Sequence, residues 1–202
     1  MAAKLNFNIG PKNFEAVRDR VAIILKEECD NQNIRQTNPE LTGTFFIERY
    51  NPPSEDEGTI ITVNVDQCTP DNQTAVSQSN ETRLNIDIYG DSYQTASMDG
   101  YEKSGKKVTR LAGLIWSILQ NPIYDRFSLA NGIVERRSVS SIRFARVSDE
   151  QDARFTRMAR IELMVRVNET VTGISPIEAD GYDTQIRIAE TNKGYKLTYN
   201  NE

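Results

Sequence analysis

The alternation of apolar and polar residues across positions 82–168 restricts this chain to few architectures. TRLNIDIY (82–89) sets Leu84, Ile86 and Ile88 on one side and Arg83, Asn85 and Asp87 on the other. That period of two marks a strand with one buried face. RFTRMARIELMVRVN (154–168) repeats the pattern, with Phe155, Ala159, Ile161, Leu163, Val165 and Val167 on one face and Thr156, Arg160, Glu162, Arg166 and Asn168 on the other. Between them Val108, Leu111, Ala112, Ile115 and Leu119 recur at helical spacing, which predicts a helix over 101–120. Leu114, Trp116 and Ile118 widen its apolar surface and predict burial on more than one side. After the Asn131-Gly132 turn signal, 132–147 reads as extended and forms an antiparallel hairpin with 154–168. The order is strand, helix, strand, strand, with a right-handed crossover if the outer strands are parallel.

The remaining segments extend this frame. Phe14, Val17, Val21, Ile24 and Leu25 form one stripe of an amphipathic helix over 14–28, with Pro11 suited to its start and a polar loop at 30–40. Segments 42–50 and 59–66 read as a hairpin joined by the acidic loop NPPSEDEG (51–58), whose prolines break the ladder. Residues 67–81 and 90–100 read as polar loops. TQIRIAE (184–190) and YKLTYN (195–200) form a terminal hairpin too small to be stable alone. The expectation is an α+β fold: a mixed, mostly antiparallel sheet flanked by two main helices, with long loops and a C-terminal β-hairpin extension. The composition shift at Glu169 divides it into a domain at 1–168 and an arm at 169–202.

Chemistry is constrained by what is missing. The 202 residues include no histidine, which removes Ser-His-Asp triads, Cys-His dyads and histidine-based zinc sites. Cys29 and Cys68 read as free thiols, because the N-terminus lacks the apolar stretch of a signal peptide. The sequons at Asn72, Asn80 and Asn168 are then chance matches. No apolar run reaches the ~18 residues of a transmembrane helix. Glu81, Asp87, Asp91 and Asp99 are conceivable paired carboxylates, but a solvated strand face with turn residues explains them better. Pro70-Asp71 lacks the second half of a nuclease pattern, segment 66–73 lacks the glycine and glutamate of a calcium loop, and SGKK (104–107) lacks phosphate-loop spacing. No catalytic, cofactor-binding or metal-ligating residue is therefore assigned.

Charge suggests contacts instead. The net charge of −5 argues against a general nucleic-acid binder. Lys103, Lys106, Lys107 and Arg110 crowd the first turns of the second helix, against the helix dipole. A second basic set, Arg136, Arg137, Arg143, Arg146, Arg154, Arg157 and Arg160, falls on the strand pair; cross-strand pairing with glutamates such as Glu162 is the plainer account.

The order FEAVRDRVAIILKEE, LNIDIYG, VTRLAGLIWSILQN and RFTRMARIELMVRVNE resembles the tail-terminator (tail-completion, head–tail joining) proteins of long-tailed bacteriophages over residues 12–168. The resemblance implies a virion protein that forms a ring, typically of six subunits, on the last ring of the tail tube. It implies the tube protein and a head-side connector as partners, with DNA passing through the lumen without sequence readout. The long loops and the extension depart from smaller family members, and leave another neck ring protein as an alternative. On this reading the candidate interface residues are Arg143, Arg146, Arg157, Arg160, Glu162, Arg166, Ile186 and Ile188, and the partner-facing loops carry Glu55, Asp56, Glu57, Asp71 and Asn72. Competing expectations are a nucleic-acid-binding accessory domain using the arginine strands and an enzyme with a carboxylate site.

Overall fold

The computed structural model describes residues 12–35, 43–49, 58–73, 77–94, 98–149, 154–170, 185–191 and 194–200. Two helices and a five-stranded sheet form an α+β fold with strand order β1-β2-β3-β5-β4. The elements are α1 (Asn13–Arg35), β1 (Thr44–Ile47), β2 (Ile60–Gln73), β3 (Ser77–Gln94), α2 (Met98–Gln120), β4 (Val134–Asp149) and β5 (Arg154–Thr170). A separate two-stranded sheet pairs β6 (Gln185–Thr191) with β7 (Gly194–Asn200) antiparallel. The chain divides into two compact units, one of them Pro11–Glu169 and the other taking in Thr170–Glu202.

The core follows the sequence pattern. Val17, Val21 and Leu25 of α1 and Val108, Leu111 and Ile115 of α2 are buried against one face of the sheet. That face carries Ile61 and Val63 from β2, Leu84, Ile86 and Ile88 from β3, and Ala159, Ile161, Leu163, Val165 and Val167 from β5. The β2/β3 register places Ile61 opposite Ile88 and Val63 opposite Ile86, so the apolar sides align across strands. Gly90 lets α2 approach β3: a Cβ there would lie 2.1 Å from Ser104 Oγ and 2.8 Å from Val108 Cγ2.

Several expectations are corrected. β1 and β2 are parallel, not a hairpin, with Thr44 opposite Ile60 and Ile47 opposite Val63. A parallel pair needs a return connection of about a dozen residues, which the link over 48–59 supplies. Most of the polar segment 67–81 is ladder: β2 runs to Gln73 and β3 begins at Ser77. Main-chain hydrogen bonds extend this ribbon although its side chains carry no apolar alternation. Pro70, which cannot donate to a ladder, sits beside a bulge between Pro70 and Asn72. Asp71 and Asn72 therefore lie on a strand, whereas Glu55, Asp56 and Glu57 lie outside the described residues. Helix α1 continues through DNQNIR to Arg35, and β5 inserts between β3 and β4, so the connection through α2 skips one strand position.

Of the three residues expected to widen the buried surface of α2, Ile118 is buried and Leu114 packs partly against the core, whereas Trp116 is 38% exposed. The helix begins at Met98, placing Asp99 in its first turn and the lysines beyond it, so the expected conflict with the dipole largely disappears. Among the described residues, no helix is long and apolar enough to cross a membrane.

Candidate subunit interfaces

The basic residues of the β4–β5 hairpin divide between the two faces of the sheet. Residues opposite one another in an antiparallel pair point the same way. Arg146 lies opposite Arg157, and Arg137 opposite Val165, on the side that holds the helices. Arg136 faces Arg166 and Arg143 faces Arg160 on the other side, with Glu162 beside them opposite Ser141. An odd number of intervening residues does not guarantee a shared face here, because bulges at Glu135 and Ser140 shift the register.

On the helix-free face, arginine opposite arginine is unfavourable, and carboxylates from neighbouring positions relieve it. Arg160 donates to both oxygens of Asp87 on β3, Nε to Oδ1 at 2.6 Å and NH2 to Oδ2 at 2.8 Å. Asp87 is fully buried, and its hydrogen bonds push the Arg160 guanidinium further up from its ordinary value. Arg143 pairs with Glu162 at 3.2 Å, Arg136 with Glu81 at 3.7 Å, and Arg83 with Asp66 at 3.6 Å. Arg166 meets Glu135 at 2.9 Å and also Asp71. Asp66, Asp71 and Glu135 are all residues left over at bulges, where the local kink re-aims a side chain. The plainer account of cross-strand pairing holds for these arginines, with acids drawn from four strands. The same face buries Asn64 and Asn85, directly opposite each other, whose side-chain oxygens accept no hydrogen bond.

Arg137 acts on the helix side. It donates to the carbonyls of Leu119 and, at 2.6 Å, Asn121, where α2 ends without a basic residue in its last turn. Its guanidinium lies 5.3 Å from the Phe127 ring centroid. Burial lowers its pKa while Asp125 opposes that shift. This role was invisible as Arg136-Arg137 in sequence, since it depends on where β4 passes the end of α2.

A groove of about 440 Å³ runs beside the N-terminal half of α2, lined by Glu102, Gly105, Lys106, Thr109, Arg110 and Arg157. Arg157 lies across Gly105, with Nε 3.2 Å from where a Cβ would stand. A second hollow of about 260 Å³ continues it over Val108, Phe144 and Met158. The groove thus joins Lys106 and Arg110 of one candidate basic set to Arg157 of the other, which the sequence treated apart. Lys107 instead lies 4.0 Å from Asp91.

The three candidate carboxylates of β3 do not converge. Glu81, Asp87 and Asp91 share β3, and a strand rise of about 3.3 Å separates Glu81 from Asp87 by roughly 20 Å and Asp87 from Asp91 by roughly 13 Å. Paired glycosidase carboxylates stand about 5–10 Å apart. Among the described residues no group of three or more Cys, Asp or Glu side chains has metal-binding geometry. Both thiols are free; burial pushes the Cys29 pKa up to about 12, with Asp30 and Glu28 adding to it. Ile186 and Ile188 lie on β6, opposite Tyr199 and Leu197. Comparison with protein-family models gives no match to this chain, and comparison with curated proteins gives none either.

Proposed function

We propose that this chain is a structural subunit of a closed head-to-tail ring, serving as the tail terminator that caps a phage tail tube and meets a head-side connector. The observation that carries the reading is an open sheet with two unlike edges. Among the described residues, β1 and β4 are the edge strands, one of 4 residues and the other of 16. Each edge exposes a large apolar side chain, Ile47 on β1 and Phe144 on β4. Two different edges offer the two unlike surfaces that a heterologous contact needs, and such a contact repeats into a ring when its rotation closes. A long edge strand left uncovered is a pairing hazard that assembly removes. The order of elements adds the resemblance to tail terminators, with the tube protein and connector as partners, a virion location, and DNA in the lumen.

The competing nucleic-acid reading loses support, because Arg136, Arg143, Arg160 and Arg166 are held by carboxylates of their own chain. Light scattering across a concentration series, with negative-stain microscopy of the same samples, tests the proposal. The expected result is a discrete oligomer seen as closed rings. A chain that stays monomeric at high concentration, with and without tube protein, overturns it.

A further inference from the structure

On the helix side of the sheet, burial stops short of the β4 edge. Leu163, Ile161 and Ala159 of β5 stand opposite Val139, Ile142 and Phe144 of β4 and share a face with them. The β5 residues are fully buried. Val139 and Ile142 are only partly buried, and Phe144 is 57% exposed. The apolar pattern of the core therefore continues onto the edge strand, and its cover does not. Edge strands are usually blunted by charge or interruption, so an apolar row on one marks a surface that something packs on. Helix α2 runs alongside, since Gly105 shares a hollow with Phe144 at one end and Arg137 reaches the Leu119 carbonyl at the other. Its flank over β4 is low. Gly105 and Thr109 line the hollow, and Trp116, about three turns on from Gly105, follows on the same flank. A Cβ at Gly113 would meet open space.

The row from Val139 to Arg146 spans roughly 20 Å at a strand rise of about 3.3 Å, the length of about four helical turns. Helix α2 packs on β3. Packed helices lie about 8–10 Å apart and strands about 4.8 Å, so a helix beside α2 falls two strands further along, over β4. One end of the trough is cationic: Lys106, Arg110 and Arg157 line the groove with Glu102 as the acid among them, and Arg146 stands opposite Arg157. We infer that the trough between α2 and β4 receives an amphipathic helix of a partner protein. Its apolar stripe lies on Val139, Ile142, Phe144 and Trp116, and its acidic residues cluster at the end that meets Lys106 and Arg157. The partner is another protein and not a second copy, because both described helices of this chain already bury their apolar stripes in their own core. A helix laid apolar side down in a groove is a recurring mode of recognition, and complementary charge sets its direction. The site lies over the helix side of β4, out of the sheet plane in which an edge-to-edge contact forms, so the inference stands apart from the ring reading.

Trp116 is the one tryptophan of the sequence, so its emission reports on the trough directly. The probes are two tryptophan-free helical peptides of about 15 residues with leucines at helical spacing, one carrying glutamates between the leucines and the other lysines. The full chain is expected to bind the glutamate peptide saturably with a blue shift of Trp116 emission, and the lysine peptide roughly tenfold or more weakly. Lys106→Glu and Phe144→Ser change exposed side chains, so both variants are expected to melt with the parent. Each is expected to weaken glutamate-peptide binding roughly tenfold. Raising salt from about 50 to 500 mM is expected to weaken binding without abolishing it, since screening leaves the apolar contact in place. Equal binding of the two peptides, binding of neither, or folded variants that bind like the parent overturns the inference. A blue shift that grows with protein concentration alone and disappears in Phe144→Ser assigns the trough to a second copy and overturns it. Displacement of the glutamate peptide by lower concentrations of single-stranded DNA assigns the trough to nucleic acid and overturns it as well.

Discussion

Asp87 and Arg160 form an asymmetric pair, and the asymmetry predicts which half the fold needs more. Asp87 is fully buried on the central strand β3, whereas 38% of the Arg160 side chain reaches solvent. Removing the arginine strands a buried carboxylate, and removing the carboxylate charge leaves a guanidinium with access to water. Arg160→Leu is expected to destabilise the protein by roughly 3–5 kcal/mol, the range for breaking a buried pair. Asp87→Asn keeps a side-chain acceptor and is expected to cost less, about 1–2 kcal/mol. Urea unfolding of both variants measures the difference; equal losses would mean that the pair behaves as a surface bridge. Neither partner announced itself in the sequence, since Asp87 reads as one acid among several on a polar face and only the neighbouring strand supplies its partner.

At the scale of elements, the faces were legible and the connections were not. Ala159 to Val167 in β5, Leu84 to Ile88 in β3, and the stripes Val17, Val21, Leu25 and Val108, Leu111, Ile115 all bury as their periodicity predicts, because each stripe records one buried surface. Strand pairing carries no such mark: TFFI reads equally well as parallel or antiparallel, and NPPSEDEG looks like a hairpin loop although β1 runs parallel to β2. The ribbon at 67–81 was hidden for a related reason, its ladder being a main-chain property. The candidate site was legible in residue type only. Sequence listed the arginines, but bulges and strand order decide which face each occupies. The end of α2 shows the consequence. Its last carbonyls are held by Arg137 from β4, whose side chain is 8% exposed. Arg137→Ala is expected to lower stability by roughly 2–3 kcal/mol, the scale of hydrogen bonds to a charged group at a helix C-terminus. Arg137→Lys should recover part of that loss, because it restores the charge without the two-pronged geometry. Denaturant midpoints of the two variants decide the matter, and an Arg137→Ala midpoint matching the parent would remove the cap from the account.

For the whole molecule, the end of β5 sets a sharp limit on what can be deleted. Among the described residues, every member of the main hydrophobic cluster lies between Val17 and Val167. The start of α1 nevertheless depends on Glu169, whose carboxylate accepts from the backbone N–H of Asn13 at 2.9 Å and of Phe14 at 2.8 Å. Glu15 reaches back to the N–H of Lys12 at 2.7 Å, so acids from both ends of the unit satisfy the free amides of one helix start. The composition shift at Glu169 suggested a boundary just before it, yet Glu169 is buried and closes the compact unit. A chain ending at Thr170 is therefore expected to fold with a single cooperative transition near that of the full chain. A chain ending at Asn168 loses two charge-assisted hydrogen bonds at a helix N-terminus and is expected to be less stable by about 1–3 kcal/mol. Glu169→Gln in the longer truncation should fall between the two, since it keeps an acceptor and loses the charge. Calorimetry of the three proteins separates the cap from mere chain length. If the Thr170 and Asn168 truncations melt together, the carboxylate contributes nothing; if the Thr170 truncation fails to fold, residues beyond β5 are part of the folding unit and not an appendage to it.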